Sequence, residues 1–129
     1  MGIRTSRNPR HVAGLVAAGA LLAGLSVGLS AYASHAVDGQ ARAALQTAAV
    51  FAFGHGIALV VLGRAVRGTL ELVALAALLI GTLLFAGALV SRHLFAGPSF
   101  FAPWGGMLTM LGWLLQAIAA FRRLSLIHI

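Results

Sequence analysis

Four long apolar runs limit what this chain can fold into. They are His11–Ala36, Ala43–Leu62, Leu70–Val90 and Pro103–Phe121. Each is close to the ~20 residues that an α-helix needs to cross the ~30 Å hydrocarbon core of a membrane. Because unpaired backbone groups are not tolerated in lipid, runs of this length predict transmembrane helices. The connections are short, so the sequence predicts an all-α membrane protein, an up-and-down bundle of four transmembrane helices.

The composition is typical of a membrane protein. Hydrophobic residues make up 60% of the 129 residues, charged residues make up 9%, and the mean hydropathy is +0.99. An ordinary soluble domain is about 25% charged. Cysteine is absent, which excludes disulfides, thiolate metal ligands and a cysteine nucleophile. The net charge of +7 does not predict a nucleic-acid partner here, because the arginines lie in short segments between the apolar runs.

The arginines predict the orientation in the bilayer. Seven of the nine arginines lie at helix ends on one side of the membrane: Arg4, Arg7, Arg10, Arg64, Arg67, Arg122 and Arg123. Only Arg42 and Arg92 flank the other two connections. The positive-inside rule places the arginine-rich side, with both the N- and C-termini, in the cytoplasm. Since lysine is absent and arginine is frequent, we predict a multi-pass protein of a bacterial inner membrane.

The end of the first run permits a second interpretation. Ala31-Tyr32-Ala33 follows an apolar stretch and an arginine-rich start, as a signal-peptidase site does. Cleavage there would leave three spans and a mature protein that begins at Ser34. The stretch Val12–Ala33 is longer than the about 7–15 residues of a signal-peptide core. We therefore predict that it is retained as the first transmembrane helix.

Small residues recur in the first run at spacings of three and four. This small-residue stripe consists of Gly14, Ala17, Leu21, Gly24, Gly28, Ala31 and His35. Small side chains let helix backbones approach closely in lipid, so the stripe predicts a helix-packing face. Leucine at Gly24 or Gly28 is expected to disrupt folding or self-association, and leucine at Ala23 to be milder. The other glycines predicted to pack helices are Gly81, Gly87, Gly105 and Gly112.

His55 is the first candidate for function. It lies about nine residues from Arg64, and thus roughly 14 Å deep at 1.5 Å per residue. A titratable side chain at that depth is costly enough to suggest a function. One hypothesis is a neutral imidazole that makes an interhelical hydrogen bond. The other is a proton relay or a ligand-binding role, and any alignment of His55 with Gln116 would support the relay. Gln116 by itself predicts a hydrogen bond between helices.

The outer ends of the helices carry four further candidates. His35 and Asp38 are three residues apart. This spacing suits a charged imidazole–carboxylate pair or two metal ligands. The alternative is that both residues simply lie in the hydrated interface at the membrane surface. Trp104 fits the aromatic belt, and Arg92 fits an anchor that reaches the headgroups. Haem held by His35 and His55 is disfavoured, because the two histidines lie at different depths. We predict neither a metal nor another cofactor.

Catalytic groups are scarce. The only two carboxylates, Asp38 and Glu71, are predicted at opposite membrane faces, so they cannot form an acid–base pair. We therefore predict a non-enzymatic protein that packs with itself or with another membrane protein. The alternative is a small transporter or proton pathway that uses His55, which would require a homo-oligomer because four spans enclose little volume.

Four local patterns resemble one family. They are "LSAYASHAV" ending the first run, "FAFGHGIAL" around His55, "GTLLFAGAL" in the third run and "FAPWGGMLTMLGW" in the fourth. Together they resemble the family known as domain of unknown function 423, which includes bacterial inner-membrane proteins and the eukaryotic transmembrane protein 256. The resemblance runs from about Ala20 to Phe121 and implies a small membrane protein, but no activity. The last six residues, Leu124–Ile129, resemble translated adapter DNA, so we place the domain at residues 1–123.

Overall fold

The computed structural model describes residues 9–127, which form four α-helices. They are α1 (Pro9–Ala36), α2 (Gly39–Arg64), α3 (Thr69–Phe95) and α4 (Ala102–Ile127). All four are long and apolar enough to cross a membrane, and residues 9–127 contain no strand. The prediction of an all-α chain with four helices of membrane-spanning length is confirmed. Arg4 and Arg7, which entered the orientation argument, and His128 lie outside the described residues.

All four helices extend beyond the apolar runs, α1 only by its start at Pro9. α2 begins at Gly39, α3 continues to Phe95, and α4 continues to Ile127. The apolar runs mark only the part of each helix that suits hydrocarbon, whereas polar residues can continue a helix at the membrane surface. α3 ends where Ala96 adopts a left-handed conformation with φ 53°. The N–H of Gly97 then donates to the carbonyl oxygen of Ser91 at 2.9 Å, which is a common way to end a helix.

Consecutive helices are antiparallel and form two close hairpins. In the α1–α2 hairpin, a Cβ atom added at Gly19 would lie 2.6 Å from the carbonyl oxygen of Gly56. In the α3–α4 hairpin, a Cβ added at Gly105 would lie 2.7 Å from the carbonyl oxygen of Gly81. Such distances are overlaps, so both hairpins depend on glycine to bring their backbones together.

α3 is the central helix of the described chain. It packs against α2 and α4 and, over a smaller area, against α1, whereas within residues 9–127 the backbone of α4 approaches neither α1 nor α2. Leu59 of α2 and Leu75 and Leu78 of α3 are fully buried in the core, beside Leu15 of α1. α4 is therefore attached from one side, through α3.

The small-residue stripe does not pack within the chain. All seven of its residues are exposed, and a Cβ added at Gly14, Gly24 or Gly28 would meet nothing within 4 Å. Gly87 of α3 is likewise exposed and open. For these four glycines, the predicted helix packing does not occur inside the chain. Gly81, Gly105 and Gly112, in contrast, are buried between α3 and α4.

The face of α1 that packs inside the chain lies opposite the stripe. Its buried residues are Leu15, Gly19, Ser26 and Ala33. Ala23 is close to this face, because its backbone nitrogen would lie 2.9 Å from a Cβ added at Gly56. Both sides of α1 carry small residues at helical spacing, so the spacing alone did not identify the inner side. Ala23 is consequently a poor choice for a mild control substitution.

Candidate functional site

His55 binds hydrogen-bond partners through both ring nitrogens. Its Nδ1 atom lies 2.8 Å from the carbonyl oxygen of Phe51, one turn earlier in α2. Its Nε2 atom lies 3.0 Å from the indole Nε1 of Trp113 in α4. An indole N–H can only donate and a carbonyl oxygen can only accept, so Nε2 accepts and Nδ1 carries the hydrogen. The two partners therefore define one neutral tautomer of His55.

Aromatic rings surround this hydrogen bond. The ring of Phe51 lies 4.3 Å from that of His55 and 4.4 Å from that of Phe85 in α3. The His55 and Trp113 ring centres are 5.8 Å apart. Favourable aromatic pairs have ring centres about 4.5–7 Å apart, so the His55–Trp113 pair lies in this range and the two Phe51 pairs are slightly closer. The four residues, which we call the aromatic cluster, join α2, α3 and α4 at one level.

Gln116 is not the partner of His55. It is half-buried on α4, but the hydrogen-bond donor that reaches Nε2 is Trp113, three residues earlier. An alignment with Gln116 would have supported the relay hypothesis, and the hydrogen bond from Trp113 gives it no such support. The sequence offered one signal for the actual partner, because an indole N–H in an apolar helix needs an acceptor.

A second set of polar contacts joins α1 and α2 nearer their connection. The amide nitrogen of Gln46 donates to the carbonyl oxygen of Ser30 at 3.1 Å and to Oγ of Ser34 at 2.6 Å. The hydroxyl of Ser30 donates back to Oε1 of Gln46 at 2.8 Å. The sequence analysis did not predict these hydrogen bonds, although Ser30 and Ser34 are four residues apart and therefore lie on one helix face. These hydrogen bonds stabilise the hairpin and exhaust the donors of the Gln46 amide.

Asp38 is paired with Arg42 and not with His35. A guanidinium nitrogen of Arg42 lies 3.2 Å from the Asp38 carboxylate. The Nε atom of Arg42 also donates to the carbonyl oxygens of Val37, at 2.7 Å, and Ala33, at 3.2 Å. Arg42 thereby satisfies carbonyl groups that the end of α1 leaves open. His35 is exposed, and residues 9–127 contain no group of three potential ligands that could hold a metal ion.

At the opposite end of the molecule, Glu71 is buried at the start of α3. One of its carboxylate oxygens accepts a hydrogen bond from the guanidinium of Arg123 in α4. The other accepts the backbone N–H of Arg67 at 2.7 Å. This ion pair between α3 and α4 was not predicted from the sequence, because it joins residues that are 52 positions apart.

The two predicted interface residues lie near the α3–α4 connection. Trp104 is 63% exposed, and Arg92 is exposed in the last turn of α3. Both positions suit side chains that reach the membrane surface. Their role as anchors remains a prediction.

Residues 29–112 match the model of a family described as Protein of unknown function (DUF423). The chain belongs to this family. The match runs from the last turns of α1 into α4 and includes His35 and His55, and the resemblance found in the sequence is thereby confirmed. No curated protein and no solved structure matches the chain. Membership in DUF423, with the four apolar helices, supports a small multi-pass membrane protein.

Proposed function

We propose that this DUF423 protein is a non-enzymatic protein of the bacterial inner membrane that assembles through the small-residue stripe of α1. A second copy of the chain is the partner that we test first, and another membrane protein is the alternative partner. The observation that carries the proposal is the exposure of the whole stripe on the side of α1 opposite its buried residues.

The physical basis is the way in which helices associate in lipid. Apolar side chains gain little there by leaving lipid for protein, so association depends on close van der Waals packing. Gly24 and Gly28 form a small-xxx-small step, and neither has an atom of another helix near it. A smooth groove of this kind suits the backbone of an approaching helix better than it suits a fluid acyl chain.

The contacts of His55 favour this role over proton transport. Neither of its partners, a backbone carbonyl and an indole, exchanges protons near neutral pH. A relay would need a neighbouring group that can accept or release a proton. The geometry of His55 is that of a hydrogen bond between helices, which supports a structural role.

Disulfide crosslinking tests the proposal directly, because the sequence contains no cysteine. We expect the single substitutions Ala17→Cys and Ala31→Cys to give crosslinked dimers when membranes are oxidised. Val61→Cys is the control. It is exposed on α2 at a depth similar to that of Ala17, since Val16 packs against Gly63.

Crosslinks that form as readily at Val61→Cys as at Ala17→Cys would show random collision and contradict the proposal for a second copy. Adding Gly28→Leu to the Ala17→Cys chain should reduce the crosslinked fraction, because a large side chain separates the two backbones. A chain that stays monomeric and captures no membrane protein through either cysteine would overturn the assembly role.

A further inference from the structure

Three arginines surround a groove between the start of α3 and the end of α4. The groove has a volume of about 390 Å³, and we call it the arginine groove. Its charged lining residues are Arg67, Glu71, Arg122 and Arg123. Charged groups therefore meet an apolar wall that includes Leu70 and Ala119.

The charges in the groove are not balanced within the chain. Glu71 binds Arg123. The only other side-chain carboxylate in the sequence is that of Asp38, which binds Arg42 at the opposite end of the molecule. No side-chain carboxylate remains to neutralise Arg67 and Arg122. Both guanidinium groups are exposed and can therefore bind an anion from outside the chain.

Phosphate is the anion that this geometry suits best. Guanidinium groups bind phosphate oxygens through paired N–H donors. α3 begins at the same place, and its N-cap residue, Gly68, supplies no side-chain cap. The first N–H groups of a helix have no partner within the helix and carry partial positive charge, so they add to the attraction that the arginines provide.

We propose that the arginine groove binds the phosphate of an anionic phospholipid, with Arg67 and Arg122 as its principal ligands. The apolar wall offers a surface for the glycerol backbone and the first acyl carbons, which free phosphate would not use. The groove lies at the end of the helices to which the positive-inside rule assigns the cytoplasm. Basic pockets between helices on that side suit anionic headgroups. This inference is independent of the assembly role.

Native mass spectrometry of the detergent-purified protein tests the proposal. Phosphatidylglycerol and phosphatidylcholine with identical acyl chains are titrated separately. We expect one phosphatidylglycerol to be retained per chain in preference to phosphatidylcholine. Arg67→Gln and Arg122→Gln should each weaken its retention about fivefold, since a basic residue near an anionic headgroup contributes about that factor. The double variant should retain both lipids equally.

Arg64→Gln is the matched control, because Arg64 is exposed at the same end of the helices but does not line the groove. The proposal is overturned if Arg64→Gln weakens retention as much as Arg122→Gln, or if the wild-type chain retains the two lipids equally. In a final measurement, binding of inorganic phosphate is compared with binding of chloride at equal ionic strength. Retention of inorganic phosphate without preference for phosphatidylglycerol would overturn the lipid assignment. Equal thermal midpoints of the variants in lipid-free detergent verify that they are folded.

Discussion

His55 is held within an apolar helix by hydrogen bonds at both ring nitrogens. Its Nδ1 hydrogen is donated to Phe51, and its Nε2 lone pair accepts from Trp113. Neither nitrogen is left to bind a further ligand unless one of these contacts breaks. Two hydrogen bonds offset the cost of placing an imidazole among apolar side chains, and the one from Trp113 also positions α4.

We therefore expect measurable coupling between His55 and Trp113. His55→Leu and Trp113→Phe should each destabilise the fold, and the double substitution should cost less than the sum of the two. The expected coupling is about 0.6–2 kcal/mol, which is the range for hydrogen bonds between membrane helices. Unfolding by SDS titration in mixed micelles measures it.

His55→Gln distinguishes the structural role from a relay. A glutamine can keep one of the two hydrogen bonds, so stability should fall by less than it does in His55→Leu. A folded His55→Gln protein that had lost a pH-dependent flux present in the wild-type protein, measured in reconstituted vesicles, would favour the transporter hypothesis.

Two residues with positive φ predict opposite effects of exchanging glycine and alanine. Ala96 has φ 53° and Gly39 has φ 62°, a region that glycine enters at little cost and alanine does not. We expect Ala96→Gly to stabilise the protein and Gly39→Ala to destabilise it, each by about 0.5–1 kcal/mol. Thermal unfolding of the two variants measures this, and a loss of stability in Ala96→Gly would contradict the explanation.

At the scale of the helices, two glycines of α2 flank His55, and only Gly56 lies at the close contact with α1. A Cβ added at Gly56 would lie 2.6 Å from the carbonyl oxygen of Gly19, whereas one added at Gly54 would meet nothing within 4 Å. Gly56→Ala should therefore cost about 1–3 kcal/mol of stability through overpacking. Gly54→Ala should be neutral or gain up to about 1 kcal/mol through helix propensity.

The two substitutions have the same chemistry and flank the same histidine, so their difference isolates the helix contact. SDS titration of both variants gives that difference. Equal stabilities would show that α1 and α2 do not approach as closely as the structure indicates.

The sequence was sufficient to predict the helices and three glycines that pack α3 against α4, Gly81, Gly105 and Gly112, but not the inner side of α1. Apolar length and arginine placement define four spans without knowledge of any contact. The inner side of α1 could not be chosen, because Gly19 and Gly24 belong to two equally regular sets of small residues. The partner of His55 could not be chosen either. Spacing places Trp113 and Gln116 close together on α4, but the rotation of α4 against α3 determines which of them reaches α2.

At the scale of the whole molecule, α3 holds the two hairpins together. Each hairpin has its own close glycine contact, Gly19 with Gly56 and Gly81 with Gly105. The contacts between the hairpins are the α3 surface and the His55–Trp113 hydrogen bond. The molecule is thus two self-contained pairs of helices joined along one surface.

This arrangement predicts that the protein can be divided. If the chain is separated in the α2–α3 connection, between Ala65 and Gly68, the two hairpins should assemble when they are expressed together. Co-purification of an untagged second hairpin with a tagged first hairpin measures this. Trp113→Phe should weaken the association, and recovery of only the tagged hairpin would show that the covalent connection is required.

The one-sided attachment of α4 also has a consequence for synthesis in the cell. The first hairpin can close as soon as α2 has left the ribosome, since none of its close backbone contacts waits for α4. Trp113 is synthesised 58 residues after His55, and until then the Nε2 atom of His55 lacks this hydrogen-bond donor. During synthesis the protein therefore passes through a stage in which the Nε2 atom of His55 is not yet bonded to Trp113. The hydrogen bond forms when α4 packs against α3.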